Sequence, residues 1–217
     1  AAGLASGAGS GPDLVYLPEV DFNMDSFLAD VKRVYDANGT CLVAVSEGIH
    51  YADGTFVSEA KTSVTDGFGH AQLGGLAVML ADVVKEKLGV KVRGIELSLL
   101  QRCGSHLASK SDVDEAYLVG KTAVEAAVSG ITDHMVGLDC VRDEAGYHCH
   151  TKLVPLTEAA NTERKVPREW INAAGNGMEP GFIDYALPLI QGEPERPLEN
   201  SLPCFAKLKK ILTTDID

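Results

Sequence analysis

The chain has 217 residues, 45% of them apolar and 23% charged, an ordinary balance for a soluble globular protein with enough length for a sizeable core. Thirty-one acidic against nineteen basic residues give a formal net charge of -12, which argues against nucleic acid or an anionic membrane as partner and confines any anion site to a local basic pocket. No apolar run reaches the roughly 20 residues of a bilayer span, so no membrane is expected, and the length suits one large or two small domains.

Residues 1–11, AAGLASGAGSG, read as the remains of a helix followed by a flexible loop, without the basic segment that opens a secretory leader. Asp13 to Leu17 reads as a short strand ended by Pro18. From Met24 to Asn38, Phe27, Leu28, Val31, Val34 and Tyr35 recur at helical spacing, and Gly39 supplies the stop. Cys41 to Val45, CLVAV, is a continuous apolar run of the kind a buried parallel strand carries, and it ends in Ser46-Glu47-Gly48. Residues 49–68 read as a polar, glycine-containing loop. A helix is expected from about His70 to Leu88, and a strand from Val92 to Leu97. Ser111 is the expected N-cap of the next helix, with Asp112, Asp114 and Glu115 in its first turn and Gly130 closing it after Ser129. His134 to Val141 and Tyr147 to Val154 read as strands joined by a tight turn at Asp143 to Gly146. A helix near 180–190 precedes a proline-rich tail. Strands alternating with helices predict an α/β layer fold with a mostly parallel sheet, its strands drawn from the segments near 14, 42 and 94.

The chemistry concentrates in Arg93 to Gly104, RGIELSLLQRCG, where an expected strand runs into a loop. Arg93 and Arg102 carry planar forks of donors that match a phosphate ester, and Gln101 adds an amide. The plain alternative is a pair of solvated surface arginines. In open α/β sheets ligands sit beyond the carboxyl ends of the strands, and Ser46-Glu47-Gly48 stands at such an end too. There Glu47 either accepts sugar hydroxyls or is a solvated acid at a strand end. The glycine-rich run Gly67 to Gly75 has Gln72 where a dinucleotide fingerprint needs its third glycine, so it suits close packing better than a phosphate cradle. Five cysteines without a CxxC pair read as reduced thiols of a cytoplasmic protein. His148-Cys149-His150 puts two imidazoles on one face of a strand, but no second ligand pair at zinc spacing accompanies it, and no metal site is expected in this chain.

Several segments together carry a family resemblance. Pro18 to Phe22, Ser46-Glu47-Gly48, Asp66 to Gly75, Gln101-Arg102 and Ala108 to Asp112 stand in the order and spacing found in phosphofructokinases. Leu153 to Leu156, Ala160-Asn161, Pro167 to Ile171 and Tyr185 to Ile190 continue the series, and these last groups are similar to the long, frequently pyrophosphate-dependent branch. The resemblance covers roughly residues 1–195, leaving 196–217 as a C-terminal tail.

The resemblance implies a three-layer, Rossmann-like phosphofructokinase fold, of which this chain is the C-terminal, sugar-phosphate-binding half. It matches Glu47 to the glutamate on the sugar hydroxyls of fructose 6-phosphate, Arg102 to the arginine on its 6-phosphate, and Arg93 to the arginine that reaches a neighbouring subunit's substrate phosphate. Leu99 departs from the His or Tyr usual at its position. The family's donor-phosphate loop, magnesium-binding aspartate and catalytic base lie in GGDGS-like and TIDND-like motifs, and neither occurs here. Catalytic residues and magnesium are therefore expected in the N-terminal half, as a partner of this chain in a homo-oligomer. The implied reaction is phosphoryl transfer from pyrophosphate or ATP to the 1-hydroxyl of fructose 6-phosphate, with this chain alone inactive and exposing an apolar face its partner would cover. A non-catalytic regulatory or scaffolding subunit with a degenerate sugar-phosphate pocket is the alternative. Without the resemblance, an unrelated doubly wound binding domain would be the default reading.

Overall fold

A computed structural model describes residues 1–58, 75–144 and 146–209. The expected start of the helix at His70, most of the Gly67 to Gly75 run and the distal part of the 49–68 loop lie outside the described residues.

The core forms where two short strands meet two amphipathic helices. After a first helix, α1 (Ala2–Gly7), strand β1 (Leu14–Tyr16) runs parallel to β2 (Val43–Val45), with Leu14 opposite Val43. The crossover between them is α2 (Met24–Asn38). The Asn23 side chain accepts from Ser26 N at 2.9 Å to open α2, and Gly39 closes it at φ 73°, a left-handed conformation that favours glycine. Its inward stripe, Phe27, Val31 and Val34, packs with Leu76, Leu80 and Val84 of α3 (Leu76–Leu88). The Tyr16 ring stands edge-on to Phe22 and Phe27, with centroids 5.8 and 5.5 Å away. The start of the expected polar loop contributes to this core as well: Ile49 and Val57 are among its most deeply buried side chains, held there by a turn at Tyr51 to Thr55. β2, expected to be buried, is only half-buried, because one of its edges borders a cleft.

A polar cluster ties β1, α2 and the segment around Asn176 together. The Asp30 carboxylate accepts from Tyr16 Oη at 3.0 Å, from Asn176 Nδ2 at 2.7 Å and from Arg33 at 2.9 Å. Burial pushes the Asp30 carboxyl up, but the three hydrogen bonds outweigh it and hold the group below its ordinary 3.8. Burial, and then the charge of Asp30, push the Tyr16 phenol well above its ordinary range. Because the Asp30 value is depressed in the fold, its stabilisation is present above the ordinary carboxylate range and is lost as pH falls through the folded-state value. Asp30→Ala strands the Tyr16 hydroxyl and the buried Asn176 amide and is expected to cost about 2–4 kcal/mol. Urea unfolding at pH 7 measures it, and a loss below about 0.5 kcal/mol would mark the cluster as surface decoration.

The remainder is built around a ten-residue antiparallel hairpin, β3 (His134–Asp143) with β4 (Gly146–Pro155), in register from His134 opposite Pro155. α5 (Lys110–Val128) lies against it, with Thr122 Oγ1 3.2 Å from Thr151 Oγ1. The cap of α5 is Ser109, not the expected Ser111. The Ser109 side chain accepts from Asp112 N at 3.2 Å, whereas the Ser111 hydroxyl donates to Gln191 O at 3.3 Å. Ser109 has the extended backbone a cap needs (φ -86°, ψ 153°), so the first turn begins two residues earlier than its acidic run suggests. After a four-residue turn, α6 (Leu156–Ala159), the chain reaches α7 (Pro180–Ala186), a 3-10 turn (Leu187–Ile190) and a two-residue-per-strand hairpin in the tail, β5 (Leu198–Glu199) with β6 (Leu202–Pro203). The Arg142 guanidinium lies between the Tyr147 and Tyr185 rings, 5.2 and 5.0 Å from their centroids, and so joins the hairpin to α7.

The α/β class is as expected, with one parallel pair and two antiparallel pairs among the described strands. The strand expected at Val92 to Leu97 is a correction: the segment carries no strand pairing, because among the described residues no strand lies beside it to complete a ladder. Apolar side chains stay exposed on α5 at Tyr117, Val124 and Val128, and on the hairpin at Met135 and Val141. Among the described residues no helix is long and apolar enough to cross a membrane.

Candidate functional site

Between β2 and the segment 90–102 lies an open cleft of about 1270 Å³, floored by α2 and α3. At the carboxyl end of β2 the chain turns sharply. Ser46 N donates back to Tyr16 O at 3.1 Å and Ile49 N to Ser46 O at 3.3 Å, while Gly48 N reaches Ser46 Oγ at 3.4 Å. Ile49 is thereby driven into the core and Glu47 is left exposed at the cleft's rim.

The opposite wall is held by its contact with α3. Glu96 Oε1 accepts from Ala77 N at 2.9 Å, placing a carboxylate on the unpaired amides and positive dipole end of α3. Gly94 crosses the same turn so closely that a Cβ there would lie 2.6 Å from Ala77 O and 2.7 Å from Val78 Cα, both backbone atoms. At Ser98 the chain turns through a positive φ of 41°, uncommon for a non-glycine residue, and enters α4 (Leu100–Cys103). That corner places Leu99, Gln101 and Arg102 along the cleft.

Glu47 from one segment and Arg93 and Arg102 from another therefore line one cleft together with Gln101. All three are exposed, and none forms an ion pair among the described residues. Leu99 lines the same cleft and, at 65% exposed, offers it only apolar surface. A carboxylate, an amide and two guanidinium groups around one opening can accept hydroxyls and bind an anionic ester. Gly94, Glu96 and Ser98, which fix this wall, escaped the reading of the sequence. Gly94 signals itself only as a glycine inside an apparent strand, a pattern that marks close backbone approach. Gly94→Ala is expected to force the wall off α3, costing about 1–3 kcal/mol and disordering both arginines. Thermal unfolding with amide exchange across 91–103 tests this, and an unchanged midpoint would refute the close approach.

The histidines and the paired thiols lie elsewhere, on the hairpin. His148 Nε2 is 3.6 Å from Asp143 Oδ1, and His150 stands opposite Asp139. Cys140 Sγ and Cys149 Sγ are 3.3 Å apart, and the Tyr147 hydroxyl donates to Glu115 at 2.6 Å. Burial, then hydrogen bonding with Cys140, pushes the Cys149 thiol up to about 11, so it is protonated and inert at neutral pH. Among the described residues no three His, Cys, Asp or Glu side chains are grouped to hold a metal ion.

Residues 1–127 match the sequence profile of the family described as Phosphofructokinase. The chain is 43% identical over 212 residues to the pyrophosphate--fructose 6-phosphate 1-phosphotransferase of Halomonas elongata, covering 97% of this chain and 50% of that protein. The corresponding enzyme of Methylococcus capsulatus is 41% identical with the same coverage. In structure the chain resembles the pyrophosphate-dependent phosphofructokinase of Nitrosospira multiformis, with a TM-score of 0.78 at 33% identity over 99% of this chain and 50% of the other. The chain thus spans about half the length of the curated relatives it matches.

Proposed function

The chain belongs to the phosphofructokinase family, and from that membership we propose that residues 1–195 form the sugar-phosphate-binding half of a phosphotransferase. The whole enzyme moves a phosphoryl group from pyrophosphate to the 1-hydroxyl of fructose 6-phosphate. The observation that carries the reading is the convergence of Glu47, Arg93, Gln101 and Arg102 on one cleft. In this reading Arg102 grips the 6-phosphate, Glu47 accepts sugar hydroxyls, and Arg93 reaches the substrate of a neighbouring subunit in a homo-oligomer. Pyrophosphate is favoured over ATP as donor because the relatives that cover nearly all of this chain carry it in their names. Phosphoryl transfer depends on positioning and electrostatic stabilisation, so a half that only positions the acceptor is chemically coherent. In this reading the magnesium that neutralises donor charge, the donor loop and the base belong to the other half, because the family's GGDGS-like and TIDND-like motifs do not occur in this sequence.

The test is complementation. The part of the Halomonas elongata relative that this chain does not match is co-expressed with it, and the purified complex is assayed with each donor. Turnover with pyrophosphate well above that with ATP is the expected result, and the reverse preference would overturn the donor assignment. Leu99 favours a second reading, a regulatory or scaffolding subunit whose pocket has lost a polar contact. A complex that assembles and binds fructose 6-phosphate but turns over neither donor would establish that second reading.

A further inference from the structure

The hairpin carries a pair of thiols for which the proposed function has no use. Cys140 of β3 and Cys149 of β4 stand directly opposite one another in the register. Just beyond the strands Leu156 N donates to Asp133 O at 2.9 Å, and Pro155, which has no N–H, sits opposite His134. The hydrogen-bonded pairs therefore fall at the odd residues of β3, and Cys140 with Cys149 is a non-hydrogen-bonded pair. In such pairs the Cα atoms are only about 4.5 Å apart and the side chains approach closely, within the roughly 4.4–6.8 Å that a disulfide spans. The two sulfurs are already 3.3 Å apart and both are half-buried. A bond of about 2.05 Å asks them to close by roughly 1.3 Å, which side-chain rotation supplies with the backbone register intact. His148 and His150 take the opposite face of β4, because side chains alternate along a strand.

The pair also has an outlet for a proton. The Tyr147 hydroxyl has a single proton and gives it to Glu115 Oε1 of α5 at 2.6 Å, so its oxygen faces Cys140 Sγ, 3.2 Å away, as an acceptor. Cys149, Cys140, Tyr147 and Glu115 thus form one line from thiol to carboxylate. We propose that Cys140 and Cys149 are an oxidation site, which a small hydroperoxide converts to a reversible disulfide stapling β3 to β4. Cys140 opens the reaction, because Cys149 is held protonated by burial and by its bond to Cys140. The Cys140 sulfur attacks one peroxide oxygen as its thiol proton passes through Tyr147 toward Glu115. An S–O bond forms, the O–O bond breaks, and the departing oxygen leaves as water, so Cys140 becomes a sulfenic acid. The Cys149 sulfur then attacks the Cys140 sulfur. The S–S bond forms, the S–O bond breaks, and the Cys149 proton leaves with the hydroxyl as a second water, so Cys149 need not ionise beforehand. Two thiols give up two electrons and one peroxide becomes two waters. A hydroperoxide suits the site because it is small and uncharged, whereas α5 lies across the hairpin at Thr122 and Glu115. A disulfide that forms and is reduced again is the form such pairs take where thiols are otherwise kept reduced.

Peptide mapping tests the proposal on the whole 217-residue chain. The reduced protein is treated with hydrogen peroxide, quenched by alkylation in denaturant and mapped by mass spectrometry. A linkage of Cys140 to Cys149 within one chain is expected, with the loss of two hydrogens, and dithiothreitol should restore both thiols. Oxygen on either cysteine without the linkage, or full alkylation of both while the exposed Cys103 and Cys204 oxidise, would overturn the proposal. Cys149→Ser isolates the first step. It should leave a sulfenic acid at Cys140 that dimedone labels, and no label there would overturn Cys140 as the attacking thiol. Glu115→Gln keeps an acceptor for Tyr147 but removes the base, so disulfide formation should slow at least about tenfold with the circular dichroism unchanged. An unchanged rate would overturn the proton route. Where either variant unfolds the chain, the map of the unsubstituted protein still decides. Treatment in urea separates fold from sequence: linkages there should scatter among the five cysteines, and a Cys140–Cys149 bond formed as fast in urea as in the folded chain would overturn the assignment of the site to the hairpin.

Discussion

Supplied with fructose 6-phosphate, magnesium and either pyrophosphate or ATP, the purified 217-residue chain is expected to form no fructose 1,6-bisphosphate above the uncatalysed background. The reason is chemical. The 1-hydroxyl must lose its proton as the phosphoryl group arrives, and the donor's charge must be neutralised. The side chains around the cleft include two guanidinium groups, an amide and one solvent-exposed carboxylate, Glu47, which the resemblance assigns to sugar hydroxyls rather than to the attacking oxygen. Neither a GGDGS-like nor a TIDND-like string is present in the sequence. General base catalysis contributes about 10²–10⁴-fold and electrostatic stabilisation as much or more, so loss of both removes essentially the whole rate enhancement. A coupled assay of the chain purified from a host lacking its own phosphofructokinase measures this. Turnover that follows the chain through successive columns and disappears in Arg102→Ala would show that the chain carries its own catalytic machinery.

The helices were the most legible part of the sequence, because each is marked both by period and by punctuation. α2 runs from Met24 to Asn38 as its apolar spacing and Gly39 demand, and α3 ends before Gly89 with Lys85 and Lys87 in its last turn. The hairpin was legible for the same reason, with alternation on both arms and a turn between. The cap of α5 was misplaced by two residues because Ser109 and Ser111 are chemically equivalent in the sequence, and only the return of the chain at Leu189 to Gln191 distinguishes them. The expectation at Val92 to Leu97 failed differently. Its apolar content is that of a strand, but a strand is a relation between two segments, and no described strand pairs with this one. The site was legible as a set of residue types and not as a geometry. Arg93, Arg102 and Glu47 were visible as candidate phosphate and hydroxyl ligands, whereas the features that bring them to one cleft, Gly94 against α3, Glu96 on its amides and the turn at Ser98, are tertiary contacts.

In the complete enzyme, Arg102→Ala should raise KM for fructose 6-phosphate about ten- to a hundred-fold and leave that for the phosphoryl donor nearly unchanged. A charge-assisted hydrogen bond to a phosphate is worth about 1.5–3 kcal/mol, and each 1.4 kcal/mol is a factor of ten in affinity. The effect belongs to the acceptor because Arg102 lines the cleft shared with Glu47 and Gln101, while the proposed function puts the donor loop in the other half. Arg102→Lys should recover only part of the loss, since an ammonium keeps the charge but not the planar fork that meets two phosphate oxygens at once. Leu99 gives the complementary experiment. It lines the same cleft with an apolar side chain, so Leu99→His adds a donor where none now stands and should lower KM for the sugar phosphate. A structural role for Arg102 would shift both Michaelis constants and the melting temperature together, and would not be rescued in steps by lysine. A sugar-phosphate KM that does not move in Arg102→Ala would return this residue to the class of solvated surface arginines and leave Glu47 and Arg93 to carry the site without it.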